Sequence, residues 1–313
     1  MAATIETLLL RSMNESRTKI STTFVLWLLI LVQVQCQECL STSSPESCSS
    51  DTTYQWIPES QHPCTVERIS YQNYLHRFGP QGLPPLFPTP LVITHDNGDN
   101  DDNQQTYSGQ YSRNHAFRQL TRFETILDLF KPGFNITLSS SNSFSEHRQT
   151  MPLAQYLQNL ATKDTLPHQL SNETWYFFGE TYSPEWKQLL QHYDIPICRA
   201  CERDMVALSF GIGNRGSGVQ WHVHGPGFAE TIWGRKHWVL YQGEPPNFHP
   251  DATSRNWMEY TYTTLPTDQR PLECTLEPGD ILYFPDRWYH ATINLDPYTA
   301  FVSTFTQEHL YVQ

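Results

Sequence analysis

The sequence lacks a hydrophobic run long enough to cross a membrane as a helix. Its longest apolar stretch, residues 24–34, has eleven residues, whereas a spanning helix needs about twenty. Positive charge is also scarce, with 20 Lys and Arg against 32 Asp and Glu and a net charge of −12. We therefore expect neither stable membrane insertion of the mature chain nor a nucleic-acid partner, because phosphate binding needs clustered cations.

The chain has 313 residues, of which 38% are hydrophobic and 13% aromatic. This composition excludes an intrinsically disordered protein and allows one large or two ordinary domains with a buried core.

The apolar stretch has the layout of a secretory signal peptide. Arg11, Arg17 and Lys19 precede it, and a polar segment rich in Ser and Cys follows. A short apolar region between a basic segment and small residues is typical of a cleaved signal, so we predict cleavage after Cys36; an uncleaved anchor is the alternative. The mature chain is expected in the lumen of the endoplasmic reticulum, with secretion as the alternative.

The cysteine count agrees with an oxidising compartment. Removal of Cys36 leaves an even number of disulfide candidates: Cys39, Cys48, Cys64, Cys198, Cys201 and Cys274. Six cysteines allow 15 pairings, so the connectivity stays open. The Cys-x-x-Cys pair at 198–201 permits redox or zinc chemistry, but a structural disulfide is favoured because no second such pair occurs in the expected mature chain, from which Cys36 is removed. Asn135 and Asn172 begin glycosylation sequons.

The mature chain changes character along its length. Residues 37–63 are predicted to form a Cys- and Ser-rich N-terminal extension, residues 64–204 a mixed helical buttress, and residues 307–313 a tail. Within the buttress, apolar spacing predicts helices at 66–78, 117–130 and 152–160 and strands at 91–93 and 175–178.

Residues 205–306 are predicted to form a β core. Seven short apolar segments with turn signals between them predict strands at 206–212, 219–224, 230–233, 237–241, 281–284, 289–295 and 301–305. Strands at this spacing, without helices between them, favour an antiparallel barrel or jelly roll. The predicted fold class is therefore mainly β with flanking helices.

Trp221-His222-Val223-His224 carries the clearest chemical signal. Side chains alternate along a strand, so His222 and His224 would share one face. A neighbouring strand could supply His290 as a third nitrogen ligand, which suits Fe, Zn, Mn or Cu. The alternative interpretation is a pair of surface histidines. His249-Pro250-Asp251 also spells His-x-Asp, but its Pro-rich surroundings predict a loop.

The segments G-V-Q-W-H-V-H at 218–224, G-R-K-H-W-V-L-Y at 234–241 and P-G-D-I-L-Y-F-P-D-R-W-Y-H at 278–290 resemble the jumonji C family. These proteins are cupin-type, iron- and 2-oxoglutarate-dependent oxygenases. The resemblance extends over roughly residues 64–305 and implies a double-stranded β-helix.

The resemblance also implies roles for individual residues. His222 and His290 take the iron-ligand positions, Lys236 is expected to pair with a 2-oxoglutarate carboxylate, and Ser303 lies near a second cosubstrate position. Two positions depart from the family pattern: His224 replaces an Asp or Glu ligand, and Val219 replaces a Thr that binds 2-oxoglutarate.

The departures favour metal binding over oxygenase chemistry, because a neutral imidazole does not lower the charge on Fe(II) as a carboxylate does. We therefore expect a lumenal regulatory or interaction protein with unidentified protein partners and weak or no 2-oxoglutarate turnover. A protein hydroxylase using Fe(II) and 2-oxoglutarate is the alternative. Histone demethylation fits poorly with a signal peptide and an acidic composition. The sequence assigns no catalytic residue.

Overall fold

The computed structural model describes residues 64–95, 113–145, 147–162 and 175–306. The predicted signal peptide, the N-terminal extension with Cys39 and Cys48, the Asn172 sequon and the tail lie outside the described residues.

The described part of the chain contains twelve strands and five α-helices. The strands are β1 (Glu67–Ser70), β2 (Leu91–Thr94), β3 (Asn135–Ser140), β4 (Arg148–Pro152), β5 (Trp175–Phe178), β6 (Ala207–Gly213), β7 (Gly227–Trp233), β8 (Lys236–Tyr241), β9 (Leu272–Leu276), β10 (Ile281–Phe284), β11 (Tyr289–Asn294) and β12 (Thr299–Phe305). The helices are α1 (Tyr71–Phe78), α2 (His115–Leu120), α3 (Leu153–Thr162), α4 (Pro184–Leu190) and α5 (Ser254–Tyr260).

The strands form two sheets. Nine strands make the large sheet in the order β1-β2-β10-β7-β12-β6-β5-β3-β4, and three make the small sheet in the order β11-β8-β9. The β1–β2 pair is parallel, and the other pairs are antiparallel. This is a jelly roll, which confirms the predicted fold class.

Both faces of the large sheet are buried. Between the two sheets, Ala229 and Phe284 of the large sheet belong to one apolar cluster with Trp238 and Leu240 of the small sheet. On the other face, helices α2, α3 and α4 pack against residues such as Phe210. Helix α5 covers the outer face of the small sheet through a cluster that includes Trp221, Val239, Trp257, Met258 and Ala291. Strands of both sheets therefore enclose the interior that lies between them.

Local sequence explains where several elements begin and end. The Ser70 and Thr253 side chains accept hydrogen bonds from Asn73 N and Asn256 N at 3.2 Å and cap α1 and α5. Pro184 stands at the start of α4, where its missing N–H costs nothing. Gly234 adopts a φ of +68° in the tight turn between β7 and β8.

Six of the seven predicted core strands form, the exception being residues 219–224, and other elements of the chain also differ from prediction. Residues 66–78 begin as strand β1, and the helix starts only at Tyr71, after the capping residue Ser70. Helix α2 ends at Leu120, and a 3₁₀ turn follows at Ile126–Leu129. Strand β9 and helix α5 were not predicted, so the expectation of a core without helices is wrong; α5 exists because Trp257 and Met258 are buried against the small sheet.

The predicted boundary between buttress and core does not divide the large sheet. Strands β1 to β5 precede residue 205 and supply five of its nine strands. Strand β2 pairs with β10, and β5 pairs with β6. The buttress is therefore part of the same sheet as the core strands.

Two disulfides are present among the described residues. Cys64 pairs with Cys274 across 210 residues of sequence, and Cys198 pairs with Cys201. The expectation that the Cys-x-x-Cys pair forms a disulfide is confirmed. The helices of the described ranges are all too short or too polar to cross a bilayer.

Candidate metal centre

The three predicted histidine ligands lie together on two antiparallel segments. His290 belongs to β11, and His222 and His224 lie on the segment that runs beside it. His222 N donates to His290 O at 3.1 Å, and His290 N donates to His222 O at 3.0 Å. The predicted strand at 219–224 is wrong, however, since only an isolated bridge forms, at His222.

The reason is an irregularity next to the first histidine. Thr292 N donates to Val219 O at 2.9 Å, so two residues of β11 stand opposite three residues of the partner segment, as in a β-bulge. Gln220 is fully buried there, and its amide accepts from Trp221 N and donates to Thr253 O, each at 3.0 Å. The Gln220 side chain therefore replaces ladder contacts and connects the ligand segment to the cap of α5.

Each imidazole is oriented by a main-chain carbonyl. The Nδ1 atoms of His222, His224 and His290 lie 2.8, 2.8 and 2.9 Å from Gln220 O, Gly225 O and Trp288 O. A carbonyl oxygen can only accept, so each Nδ1 carries the proton and donates it. In a neutral ring this leaves the lone pair on Nε2, which is the atom that can bind a metal ion.

The three rings direct these nitrogens to one point. One ring nitrogen from each histidine lies within 4.8 Å of the other two, and Nε2 of His224 and His290 are 3.2 Å apart. Two nitrogen ligands held about 2.1 Å from one ion at tetrahedral or octahedral angles are about 3.0–3.4 Å apart. Since neither Nε2 atom of this tautomer has a proton to share, the close pair fits a shared cation.

Burial keeps His222 and His290 neutral. It is the main factor that lowers the pKa of His222 to about 4, with the neighbouring His224 as a second cause. Burial likewise holds the pKa of His290 well below its usual value, reinforced by His222 and His224. Neutral imidazoles are the form that binds metal ions, so no proton has to be displaced near neutral pH.

Aromatic rings surround the centre on one side. The ring of His224 lies edge-on to Phe284 and Phe305, with centroids 5.2 and 5.1 Å away. Phe284 also stacks on His290 at 4.9 Å, and Trp238 lies 5.7 Å from the same ring. These rings restrict the rotation of the imidazoles and exclude water from that side of the site.

Lys236 lies further along the same interior. It pairs with Asn294 in the β8–β11 ladder, four residues from His290. Its Nζ donates to Asn294 Oδ1 at 3.0 Å and stands 3.9 Å from the centre of the Phe301 ring. Burial lowers the pKa of this amine to about 7. A buried cation with two uncharged neighbours is well suited to an anionic group.

Ser303 is 4% exposed on β12, two residues from Phe301 in the direction of Phe305. Phe301 contacts Lys236 and Phe305 contacts His224. Because alternate residues share a face of a strand, Ser303 lies between these two contacts on the interior side of the large sheet.

Sequence reasoning missed two polar residues beside the centre. Thr292 and Asn294 follow His290 at intervals of two residues on β11, so they share its face. Thr292 Oγ1 accepts from Val219 N at 3.1 Å, and Asn294 Nδ2 donates to Ser217 Oγ at 2.9 Å. The period of two that predicted His222 and His224 would also have identified these positions.

The His-x-Asp motif at 249–251 does not join the site. His249 and Asp251 have exposed side chains, and the closest approach of His249 Nδ1 to an Asp251 carboxylate oxygen is 4.0 Å. The motif lies in a loop, as predicted.

Comparison with known proteins identifies relatives that cover most of this chain. A family model described as a Cupin-like domain matches residues 92–309. JmjC domain-containing protein 8 of Homo sapiens is 44% identical over 77% of this chain and 83% of its own length. The protein of the same name from Mus musculus is 40% identical over 77% and 82%. A lysine-specific demethylase from Arabidopsis thaliana, JMJ21, is 25% identical over 56% of this chain and 20% of its own length.

Proposed function

Because this chain belongs to the cupin-like JmjC family, we propose that it is a lumenal metal-binding module that acts in protein regulation or interaction. His222, His224 and His290 would hold one divalent transition-metal ion. The observation that carries this proposal is the set of three Nδ1–H donors bonded to carbonyls, which leaves the lone pair of each ring on Nε2, together with the approach of one ring nitrogen from each histidine to within 4.8 Å of the other two.

The metal of the usual JmjC site is Fe(II), which supplies oxygen chemistry when a cosubstrate is bound. Here the ligand set is neutral, because His224 stands where the family has Asp or Glu. The ion would keep one more unit of positive charge than with a carboxylate ligand, which disfavours oxygen activation. Weak or absent oxygenase activity is therefore part of the proposal.

A second reason concerns the cosubstrate. The family's Thr hydroxyl for 2-oxoglutarate is absent at Val219. The Val219 main chain is occupied as well, since its N–H donates to Thr292 Oγ1 and its carbonyl accepts from Ser254 Oγ at 2.7 Å. These contacts leave the position without a group to bind a carboxylate.

A working Fe(II)- and 2-oxoglutarate-dependent hydroxylase is the second candidate function. One observation favours it: the buried amine of Lys236 on the small sheet, which also carries His290, with Ser303 on β12 of the large sheet. A cosubstrate carboxylate would give this amine the counter-charge that Asn294 and Phe301 do not provide. Demethylation of histones is not proposed, because the predicted signal peptide and the acidic composition argue against a chromatin partner.

The lumenal assignment rests on the signal-peptide pattern and on the two disulfides, which persist in oxidising compartments. Asn135 is exposed at the start of β3, where an attached glycan would not disturb the core. Secretory expression in animal cells with and without an endoglycosidase tests this part. We expect cleavage near Cys36 and a mobility shift from glycans on Asn135 and Asn172; an unshifted protein with reduced cysteines would contradict it.

The metal proposal is tested on purified, secreted protein. We expect about one divalent ion per chain in elemental analysis, and His222→Ala or His290→Ala to weaken its affinity by more than about 100-fold in titrations with Zn²⁺ and Fe²⁺. His249→Ala is the matched control, because that histidine is exposed outside the site. Equal metal content in all four proteins would refute the assignment.

Turnover of 2-oxoglutarate separates the two candidate functions. We expect little succinate formation by the parent protein with Fe²⁺, and more by His224→Asp, which supplies the family's carboxylate. Robust turnover in the parent that disappears in Lys236→Ala would establish the hydroxylase instead.

A further inference from the structure

The Cys198–Cys201 disulfide closes a ring of four residues, Cys-Arg-Ala-Cys, in the loop between α4 and β6. The other disulfide, Cys64–Cys274, spans 210 residues. The chain entropy removed from the unfolded state grows with the length of the closed segment, so the short ring stabilises the fold far less than the long one.

The turn that holds the short disulfide is fixed without it. The hydroxyl of Tyr74 accepts from Leu83 N at 2.7 Å and donates to Ile197 O at 2.5 Å. Arg199 N donates to Leu83 O at 3.1 Å, and Cys201 N donates to Cys198 O at 3.0 Å. These bonds place the two cysteines next to each other on either side of a closed turn.

Glycine at position 82 makes this arrangement possible. Gly82 has a φ of +70°, and a Cβ there would stand 2.3 Å from Ile197 O. The main chain before Cys198 is thus packed directly against another loop. We expect the two sulfurs to remain adjacent after the bond between them is reduced.

The two cysteines differ in exposure. Cys201 is 8% exposed and belongs to an apolar cluster with Tyr74 and Leu83, whereas Cys198 packs against the edge of the same cluster and is only partly buried. Ile197 and Met205 of the same loop are 36% and 37% exposed. An incoming sulfur can therefore reach Cys198 beside exposed apolar side chains, while Cys201 is shielded. In the long disulfide, Cys274 is fully buried and Cys64 is partly buried like Cys198. The length of the closed segment therefore separates the two disulfides more than exposure does.

We propose that Cys198–Cys201 is an exchangeable disulfide that accepts two electrons from thiols of a partner. A thiolate attacks Sγ of Cys198 and forms a mixed disulfide, while the Sγ–Sγ bond breaks and Cys201 leaves as a thiolate that takes a proton from water. A second thiolate of the partner then attacks the partner's sulfur in the mixed disulfide. Cys198 is released and takes a proton, and the partner leaves with a disulfide of its own. Two thiols are oxidised and one disulfide is reduced.

Differential alkylation of the native protein tests the proposal, with reduced and oxidised glutathione as the probe. As the buffer becomes more reducing, we expect Cys198 and Cys201 to become alkylated together while Cys64 and Cys274 remain protected. The circular dichroism spectrum should stay unchanged. Resistance of the short disulfide, or its reduction only together with Cys64–Cys274 and unfolding, would overturn the proposal.

Single variants identify the attacked sulfur. Cys201→Ser leaves Cys198 without its partner and should accumulate a mixed disulfide with one glutathione, detected by intact mass. Cys198→Ser is the matched control and should form at least tenfold less adduct, because Cys201 is shielded. Equal adducts in both variants would contradict the predicted direction of attack.

The double variant Cys198→Ser/Cys201→Ser decides whether the disulfide is merely structural. We expect it to fold with a thermal midpoint close to that of the parent, since the turn is held by Tyr74, Leu83 and Arg199. A double variant that is unfolded would overturn the proposal. Metal binding is not involved in any of these measurements, so they stand or fall separately from the metal centre.

Discussion

Two buried polar clusters of this protein differ in whether the chain itself completes them. In the Glu230 cluster (Arg113, Asn114, Arg118, Tyr193 and Glu230), each polar partner of the carboxylate comes from the fold. In the histidine triad (His222, His224 and His290), one ring nitrogen from each imidazole lies within 4.8 Å of the other two. The first cluster balances its charges from within, whereas the second would be completed by an added cation.

The Glu230 cluster fastens the helical layer to the large sheet. Glu230 Oε2 accepts from Asn114 Nδ2 at 2.9 Å and from the Tyr193 hydroxyl at 3.0 Å. Guanidinium nitrogens of Arg113 and Arg118 approach the carboxylate to 3.8 Å. Burial raises the pKa of Glu230, and the two arginines oppose that rise. A carboxylate with four partners on other segments is typical of a structural network.

The difference distinguishes a buried polar cluster that stabilises the fold from one that we expect to bind a ligand. The Glu230 cluster matches positive with negative charge, and two donors bond to Glu230 Oε2, although Glu230 Oε1 and the Nε atoms of Arg113 and Arg118 have no hydrogen-bond partner among the described residues. The triad matches its Nδ1 donors with carbonyls and brings its ring nitrogens together, and the buried amine of Lys236 nearby contacts the uncharged Asn294 and Phe301. The incomplete cluster is the one that we expect to bind a ligand.

Removal of the central carboxylate should have the largest effect on stability. Glu230→Ala leaves Arg113 and Arg118 buried without their counter-charge, and we expect the free energy of unfolding to fall by about 3–5 kcal/mol. Urea denaturation followed by tryptophan fluorescence measures it. Glu180→Ala is the matched control, because its pair with Arg148 is exposed and worth less than about 1 kcal/mol. Similar losses in both variants would show that the buried Glu230 cluster stabilises the fold no more than an exposed ion pair does.

A smaller loss is expected when only one donor of that cluster is removed. Tyr193→Phe keeps the buried ring but deletes the hydroxyl that donates to Glu230, at a cost of about 1.5–3 kcal/mol. Metal affinity should not change, because the hydroxyl lies in the other cluster. A loss of metal binding in a folded Tyr193→Phe protein would break the separation of the two clusters.

The triad should respond in the opposite way, in binding more than in stability. Gln220→Ala removes the amide that fixes the bulge beside His222, and we expect metal affinity to fall by about 10- to 100-fold. Isothermal titration with Zn²⁺ measures the change. Gln149→Ala on the exposed face of β4 is the control for loss of a glutamine side chain. Unchanged affinity in Gln220→Ala would mean that the main chain alone orients His222.

The pH dependence of stability should reveal the buried lysine near the triad. Burial lowers the pKa of Lys236 to about 7 in the folded chain, whereas unfolding returns it to about 10.4. Between these values the unfolded chain binds the additional proton, so this group makes the free energy of unfolding rise with pH by up to about 1.4 kcal/mol per pH unit.

Lys236→Met removes that contribution. We expect its stability curve to be flatter than that of the parent between about pH 7 and about pH 10, measured by urea denaturation at each pH. Lys187→Met controls for a change of lysine at the surface. Parallel curves for the parent and Lys236→Met would show that the amine is not desolvated as the structure indicates.

The sequence predicted which histidines come together better than it predicted their local geometry. Alternation grouped His222 with His224, and a neighbouring strand was expected to supply His290, 66 residues further along the chain than His224. The regular strand predicted at 219–224 does not form, because the Gln220 side chain accepts a hydrogen bond from Trp221 N and donates one to Thr253 O. This bulge depends on a contact with Thr253, the capping residue of α5, which lies 33 residues later in the chain. A local sequence pattern does not contain that contact.

The early part of the chain was predicted less well for a related reason. Strands β3 and β4 are rich in Ser, Thr and Gln, so their apolar period is weak, yet they pair in the large sheet through β5. Their strand conformation comes from hydrogen bonds to neighbours rather than from the propensity of their residues.

The sequence by itself determined the jelly roll and the identity of the three histidines, because apolar alternation and residue types are local properties of a strand. Only the tertiary structure decided which nitrogen of each ring faces inward, which cysteines pair among the described residues, and which buried charges are balanced. Those outcomes depend on carbonyls, sulfurs and guanidinium groups that folding brings together from distant parts of the chain.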